Sequence, residues 1–341
     1  MNKKTIIIAE AGVNHNGDLN LAKQLIDIAS DAGADYVKFQ TFKAKNIVSK
    51  TAKMAVYQKL KSNEITDSQF NMLKKLELSY EDHYKLIEYC KSRNIKFLTS
   101  AFDLEGLEFV FSLNLDLIKI PSGEITNYQY LKKISSYNSN VILSSGLSTI
   151  EEINKAINIL TSHNLNRDDI IVLHCNTQYP TLLEDVNLRA MLDIKKNCNV
   201  DIGFSDHTME LETPISAVAL GAKVIEKHFT FSRDLIGPDH SASLEPKELK
   251  NMIKSIRNVE KILSGNGLKI PTKSEIQNKI AVRKSLFTTR KISAGTVIDE
   301  SMLKALRPGD GITPIEIPNL VGKKIINGLE SDTKLNENDF E

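Results

Sequence analysis

The residues able to do chemistry in this chain recur at one end of a repeated pattern. Glu10 closes a first short apolar run. Later runs carry or lead into Lys38 and Gln40, Lys119 with Ser122 and Glu124, and Ser144 and Ser145. The last of them lead into His174 and Asn176, Ser205 with Asp206 and His207, and Glu226 with His228. A lone lysine or histidine at such a place is usually a solvated cap or a packing residue. Recurrence at the same end of successive runs is what random surface polarity would not produce. Side chains alternate along a strand, so Lys38 and Gln40 share a face, as do Glu226 and His228. His207 and His228 fall on neighbouring strands, spaced about 4.8 Å apart, and two imidazoles at that distance can reach one cation. With no cysteine beside them and with carboxylates and water at hand, the expected guest is a divalent ion with open coordination positions. The plainer reading makes His207 a structural imidazole paired with Asp206. Lys38 and Lys119, buried without matching carboxylates, would call for an anionic ligand. A phosphate plus a carboxylate would satisfy both, with the Ser122 and Ser144 hydroxyls and the N–H groups of helix starts as further donors.

The elements that must position these groups are legible in the hydrophobic pattern. Apolar runs occur at Thr5–Ala9, Asp35–Phe39, Lys96–Thr99, Leu117–Ile120, Val141–Ser144, Ile170–His174, Asp201–Phe204 and Lys223–His228, with helix-period segments between them. In the first such segment Asp18 caps, Leu21, Ala22, Leu25, Ile26 and Ala29 form a stripe, and Gly33 ends the last turn. In the last, Pro246 stands near the start, and Leu249, Met252, Ile253, Ile256 and Val259 share a face. Eight strands alternating with helices predict a (β/α)8 TIM barrel over residues 1–265, α/β in class, whose C-terminal rim carries the chemistry. A doubly wound open sheet is the structural rival. The long, polar-centred stretch Tyr57–Ser79 reads as a rim loop or lid with some helix. Residues 266–282, opened by Ser264–Gly267 and containing Pro271, read as a linker. Over 283–341 the elements shorten and turn signals crowd (Ala294–Gly295, Pro308–Gly309, Asp310–Gly311, Pro314), predicting a small, mostly β domain with a marginal core of its own.

The bulk numbers remove several classes of function. Across 341 residues the net charge is +1, with 41% hydrophobic and 26% charged residues, so no global field favours nucleic acid or an anionic membrane. The apolar run before Glu10 is too short for a signal peptide, and no stretch nears the roughly 18 apolar residues of a membrane span. Three scattered cysteines, Cys90, Cys175 and Cys198, fit reduced thiols in a cytoplasmic protein.

Several segments resemble the sialic acid synthases: Ile8–Asp18 (IAEAGVNHNGD), Tyr36–Phe42 (YVKFQTF), Ile118–Tyr128 (IKIPSGEITNY), Ile142–Leu147 (ILSSGL), Leu173–Thr181 (LHCNTQYPT), Gly203–Thr208 (GFSDHT), Ile225–Thr230 (IEKHFT) and Gly237–His240 (GPDH). Arg283–Leu286 (RKSL), Arg307–Ile312 (RPGDGI) and Leu320–Lys323 (LVGK) resemble that family's antifreeze-like SAF domain. The resemblance covers essentially the whole chain in order. It implies condensation of phosphoenolpyruvate with an N-acyl hexosamine, typically N-acetylmannosamine giving N-acetylneuraminate, in a domain-swapped homodimer using Mn2+, or Mg2+ or Co2+. It implies His207 and His228 as metal ligands, and Lys38, Lys119, Ser122, Ser144 and Ser205 around phosphoenolpyruvate. Gln40, Tyr179 and Asp239 fall at sugar-contacting positions, and Glu10 and Glu124 at catalytic carboxylates near the reacting carbons. Arg307 is implied as the arginine offered to the sugar of the partner subunit. Either Asn176 or Thr177 meets the phosphate. Legionaminate synthases, acting on a 2,4-diacetamido-2,4,6-trideoxymannose, share most of these motifs. Phe39 does not separate the two products. The rival chemistries are a Schiff-base aldolase with Lys38 or Lys119 as nucleophile, a relative making a seven- or eight-carbon keto acid, and a sugar- or ice-binding module without catalysis.

Overall fold

The computed structural model describes residues 4–49 and 68–341. The chain divides into two compact units, Met1–Ser264 and Gly265–Glu341. The first is a closed barrel of eight parallel strands: β1 (Ile6–Gly12), β2 (Tyr36–Thr41), β3 (Lys96–Ala101), β4 (Leu117–Ile120), β5 (Asn140–Ser144), β6 (Ile170–Cys175), β7 (Asp201–Asp206) and β8 (Val224–His228). The ring closes by pairing β1 with β8, Ile8 opposite Glu226 and Glu10 opposite His228. The open-sheet alternative is thereby excluded.

Local chemistry shapes the helices that wrap the barrel. In the helix Leu19–Ala32 the Asp18 carboxylate accepts from the Asn20 and Leu21 amides, and Gly33 leaves at φ 85°, donating to Ala29 and Ser30 carbonyls. Ala22, Leu25, Ile26 and Ala29 are buried against the strands. Each large aliphatic side chain so buried contributes about 1.5–3 kcal/mol. The helix Pro246–Ile262 begins with its proline in the first turn and buries Leu249, Met252, Ile253 and Ile256.

The barrel interior is layered, and the layering places the site. Ile8, Tyr36, Leu98, Leu117, Ile142, Leu173 and Val224 form an apolar plug. Two residues further along each of these strands, on the same face, stand Glu10, Lys38, Ser100, Lys119, Ser144, Cys175 and Glu226, all buried. The period-2 alternation thus turns one apolar layer into the floor beneath one polar layer.

At the opposite, N-terminal end the structure is devoted to closure. Arg257, from the last barrel helix, donates to Asp35 Oδ2 (2.8 Å) and to the Thr5 carbonyl (2.8 Å), and the Ile7 amide donates to the same Asp35 oxygen (2.9 Å). Arg257→Ala is expected to lower unfolding free energy by about 1–3 kcal/mol, since it leaves Asp35 and Thr5 short of a half-buried donor. Urea unfolding measures this. Any turnover by the folded protein should stay unchanged, because the polar layer lies at the other end.

Of the stretch read as a lid, residues 57–67 lie outside the described residues. The remainder contains a helix, Gln69–Lys75, capped by the Ser68 hydroxyl. Among the described residues no helix is long and apolar enough to cross a membrane.

The second unit has a short antiparallel pair, β9 (Ser285–Thr288) and β10 (Leu303–Leu306), with Leu303 opposite Thr288. Its core gathers Leu286, Ile292, Ile298, Met302, Leu303, Leu320, Ile325 and Leu335. The linker segment belongs to this unit and holds two short helices, Lys273–Ile276 and Lys279–Val282. The first is fixed by a reciprocal cap between Thr272 and Glu275.

Candidate active site

A cavity of about 490 Å³ opens above the polar layer. Glu10, Lys38, Gln40, Lys119, Ser122, Ser144, Thr177, Tyr179, Ser205, His207, His228 and Asp239 all line it, together with Ser100 and Glu226. Met72, Leu73 and Leu76 supply apolar wall from the helix Gln69–Lys75 and the residue that follows it.

The lysines are not without carboxylates, as the sequence suggested. Lys38 Nζ lies 2.8 Å from Glu10 Oε2 and 3.7 Å from Glu226 Oε2, and Lys119 Nζ lies 3.5 Å from Glu226 Oε1. Barrel closure brings β8 beside β1, within side-chain reach of β2 on its other side, which residue spacing along the chain does not reveal. Hydroxyls complete the set. Lys38 donates to Ser100 Oγ (3.2 Å), Lys119 to Ser144 Oγ (2.7 Å), and the Ser205 hydroxyl to Glu226 Oε1 (3.1 Å).

The two carboxyls have opposite protonation behaviour. Glu226 is buried, but Lys119 and Lys38 outweigh burial and hold it down at about 2. Glu10 is pushed up to about 7, because burial outweighs Lys38 and Glu226 repels it. Lys38 is raised, its own burial outweighed by Glu10 and Glu226. Lys119 is lowered, chiefly by burial. Near neutral pH the two lysines therefore face one full carboxylate, Glu226, and one that is partly protonated, Glu10. Such a cluster still favours an anion, though less strongly than two unmatched lysines would.

The imidazoles sit at the mouth. The His207 and His228 ring centroids are 5.4 Å apart, and Tyr179 packs on His207 at a tilt of 34°, with centroids 4.1 Å apart. His207 Nδ1 donates to the Asn176 carbonyl, which leaves Nε2 as the lone-pair nitrogen. His228 Nδ1 is buried without a hydrogen-bond partner, with Asp239 Oδ2 3.7 Å away. Burial lowers His207 to about 4, and burial together with the neighbouring His207 takes His228 well below its ordinary value. Both rings are neutral near pH 7, the state in which imidazole binds a metal. Among the described residues no three His, Cys, Asp or Glu are preassembled as a metal cage. A cation held here would have two imidazole ligands and open positions, and the orphaned nitrogen of His228 fits that role. The structural reading of His207 fails on one point: Asp206 pairs with Lys227, at 2.6 Å, and not with the imidazole.

Two expected residues of the barrel stand elsewhere. Glu124 belongs to a single turn, Ser122–Glu124, which points Ser122 into the barrel and carries Glu124 to a neighbouring cavity of about 680 Å³. There it accepts from Asn127 Nδ2 (2.6 Å), and Gln40, Leu73 and Phe102 border both cavities. The Asn176 side chain turns outward to donate to the Asp185 carbonyl (2.9 Å), so Thr177 lines the cavity in its place. Thr177 also crosses Gly146 so closely that a Cβ on that glycine would meet its methyl at 2.7 Å. Arg307 lies exposed in the second unit, its Nε donating to the Val282 carbonyl (3.1 Å). Ser100 is not singled out by the sequence, and Glu226 only as sharing a face with His228. Their signal was there, in the same two-residue step from apolar plug to polar layer.

Residues 25–269 match the model of the NeuB family, and residues 283–341 match the SAF domain. The chain belongs to the NeuB family. NeuB-family relatives match it along nearly its whole length. An N,N'-diacetyllegionaminic acid synthase of Campylobacter jejuni is 48% identical over 98% of this chain and 100% of its own. A second synthase of that name, from Legionella pneumophila, is 45% identical over 96% of this chain and 92% of its own. Among solved structures, an N-acetylneuraminic acid synthetase of Leptospira borgpetersenii superposes with a TM-score of 0.70 at 35% identity, covering 81% of this chain and 90% of its own. The chain is thus an enzyme of a synthase family, built on a TIM barrel with a C-terminal SAF domain.

Proposed function

We propose that this enzyme condenses phosphoenolpyruvate with 2,4-diacetamido-2,4,6-trideoxymannose and water, giving N,N'-diacetyllegionaminate and phosphate. The observation that carries the reaction class is the buried cluster of Lys38, Lys119, Glu10 and Glu226 beside a neutral imidazole pair. The sugar is chosen from the relatives named for legionaminic acid, at 48% and 45% identity, against 35% for the neuraminic acid synthetase. N-acetylmannosamine, the first expectation from sequence, becomes the second reading.

In this reaction a bond forms between the enol carbon C3 of phosphoenolpyruvate and the aldehyde carbon of the open-chain sugar. Water then adds at C2, its proton leaves, and C–O cleavage expels phosphate. Lys38 and Lys119 hold the phosphate and carboxylate and offset their charge. Ser122, Ser144, Ser205 and Thr177 supply or accept hydrogen bonds around them. Glu10, titrating near neutrality, takes the proton from the attacking water. Glu226 stays ionised and favours the protonated form of both lysines. A divalent ion held by His207 and His228, Mn2+ in our reading, would supply Lewis-acid polarisation of the aldehyde oxygen. Gln40, Tyr179 and Asp239 face the sugar, and Glu124 faces its far end across the border at Gln40. The reading includes a homodimer in which Arg307 serves the partner's sugar.

Phosphate release from phosphoenolpyruvate, measured with the two sugars side by side, tests this. The diacetamido sugar is expected to give a kcat/KM at least about tenfold higher, the scale of discrimination by a few added contacts. A higher value for N-acetylmannosamine overturns the choice of sugar. No phosphate with either sugar overturns the reaction.

A further inference from the structure

The outer face of the strands that carry the two imidazoles holds a second ionic group which the proposed chemistry does not use. Asp206 and Lys227 are 0% and 1% exposed and stand opposite each other as the last paired residues of β7 and β8. Lys227 Nζ lies 2.6 Å from Asp206 Oδ2 and 2.5 Å from the Thr208 carbonyl, with Thr208 Oγ1 at 3.4 Å and the Glu210 carbonyl at 3.5 Å. The other carboxylate oxygen accepts from the Thr208 amide at 2.9 Å.

Strand alternation fixes what this pair does to its neighbours. Asp206 and Lys227 point outward, so His207 and His228, each one residue on, point into the cavity mouth. The β7–β8 ladder ends at Asp206 opposite Lys227, so His207 and the loop after it lie beyond the last rung. The ammonium takes over where the ladder stops, since it binds carbonyls of Thr208 and Glu210 and draws that loop back to β8. On the far side, the Thr181 amide donates to the His207 carbonyl at 2.8 Å. The imidazole backbone is thereby held from two directions.

Stability alone gives little reason for such a pair. Removing two charges from water is costly, and buried pairs replaced by apolar or neutral groups often leave a protein equally or more stable. We propose that Asp206 and Lys227 are positioning residues for the imidazole pair: they hold His207 at the distance from His228 at which both rings reach one divalent cation. This rests on the metal reading given above.

The test is Mn2+ titration of the full-length protein by calorimetry, with urea unfolding alongside. In the variant Asp206→Asn/Lys227→Met the amide still accepts from Thr208, and no charge is left unpaired. The Mn2+ Kd is expected to rise at least about tenfold, as when the supports of a metal ligand are lost, while the unfolding midpoint stays level or rises. Lys227→Arg keeps the charge with a different donor geometry and is expected to fall between variant and parent. A double variant that binds Mn2+ as the parent does overturns the assignment. So does one that loses cooperative unfolding, because the pair is then a stability element. A parent protein that takes up no Mn2+ overturns the metal reading, and this assignment with it.

Discussion

His228→Ala is expected to weaken Mn2+ binding by roughly 100-fold or more and to remove metal-dependent turnover to a similar or larger degree. The residues present supply two imidazole ligands, and among the described residues no third His, Cys, Asp or Glu completes a cage. With His228 gone, a cation would have one protein nitrogen, that of His207. The substitution should leave the barrel standing. His228 Nδ1 makes no hydrogen bond in the structure, so none of its bonds is lost, and the ring lies at the cavity mouth and not in the plug. This separates the prediction from general damage. Calorimetric Mn2+ affinity falls while the urea midpoint moves little. His207→Ala should weaken binding comparably but cost more stability, because its ring bonds the Asn176 carbonyl and packs on Tyr179. Parent-like Mn2+ affinity in His228→Ala would remove that residue as a ligand. Activity that survives both a chelator and the substitution would return the aldolase reading, with a lysine nucleophile, to consideration.

How far the sequence revealed this site depends on which physical rule placed each residue. Period-2 alternation is local, so Lys38 with Gln40 and Glu226 with His228 were legible as inward-facing pairs. Helix signals were local too: Asp18 and Gly33 bound their helix as read. Barrel closure is not local. The contact of Lys38 with Glu226 joins β2 to β8 across β1, and it turns two apparently unmatched cations into a nearly compensated cluster. The direction of a side chain just beyond a strand is also hard to read, because alternation ends with the ladder. Glu124 and Asn176 both stand in such places, and both turn to a neighbouring partner, Asn127 and the Asp185 carbonyl. Thr272 and Glu275 make the opposite case. Their three-residue spacing is a reciprocal-cap signal, legible in principle, inside a segment whose Gly and Pro content read as linker.

Glu10→Gln is expected to lower kcat by about 10²–10⁴-fold, the usual contribution of a positioned proton acceptor, and to flatten the pH profile of kcat/KM. The sign follows from the environment. Burial raises the carboxyl to about 7, so it is protonated below that pH and ionised above it. A group that must take a proton from water works only when ionised. Activity of the parent should therefore rise with pH through about 7, and fall as pH drops below it. Glu226 cannot produce this limb: Lys119 and Lys38 hold it near 2 despite its burial, so it is ionised throughout the working range. The histidines do not account for it, since burial holds His207 at about 4 and takes His228 well below its ordinary value. Glutamine keeps the shape of the side chain and an oxygen for Lys38, which retains Glu226 as a charged partner 3.7 Å away. Loss of packing is thus a poor explanation for a large fall in kcat. If Glu10→Gln keeps a rising limb at the same pH, the titrating base is another group. If kcat is retained but the KM for phosphoenolpyruvate changes, Glu10 tunes the charge of the anion site and carries no proton.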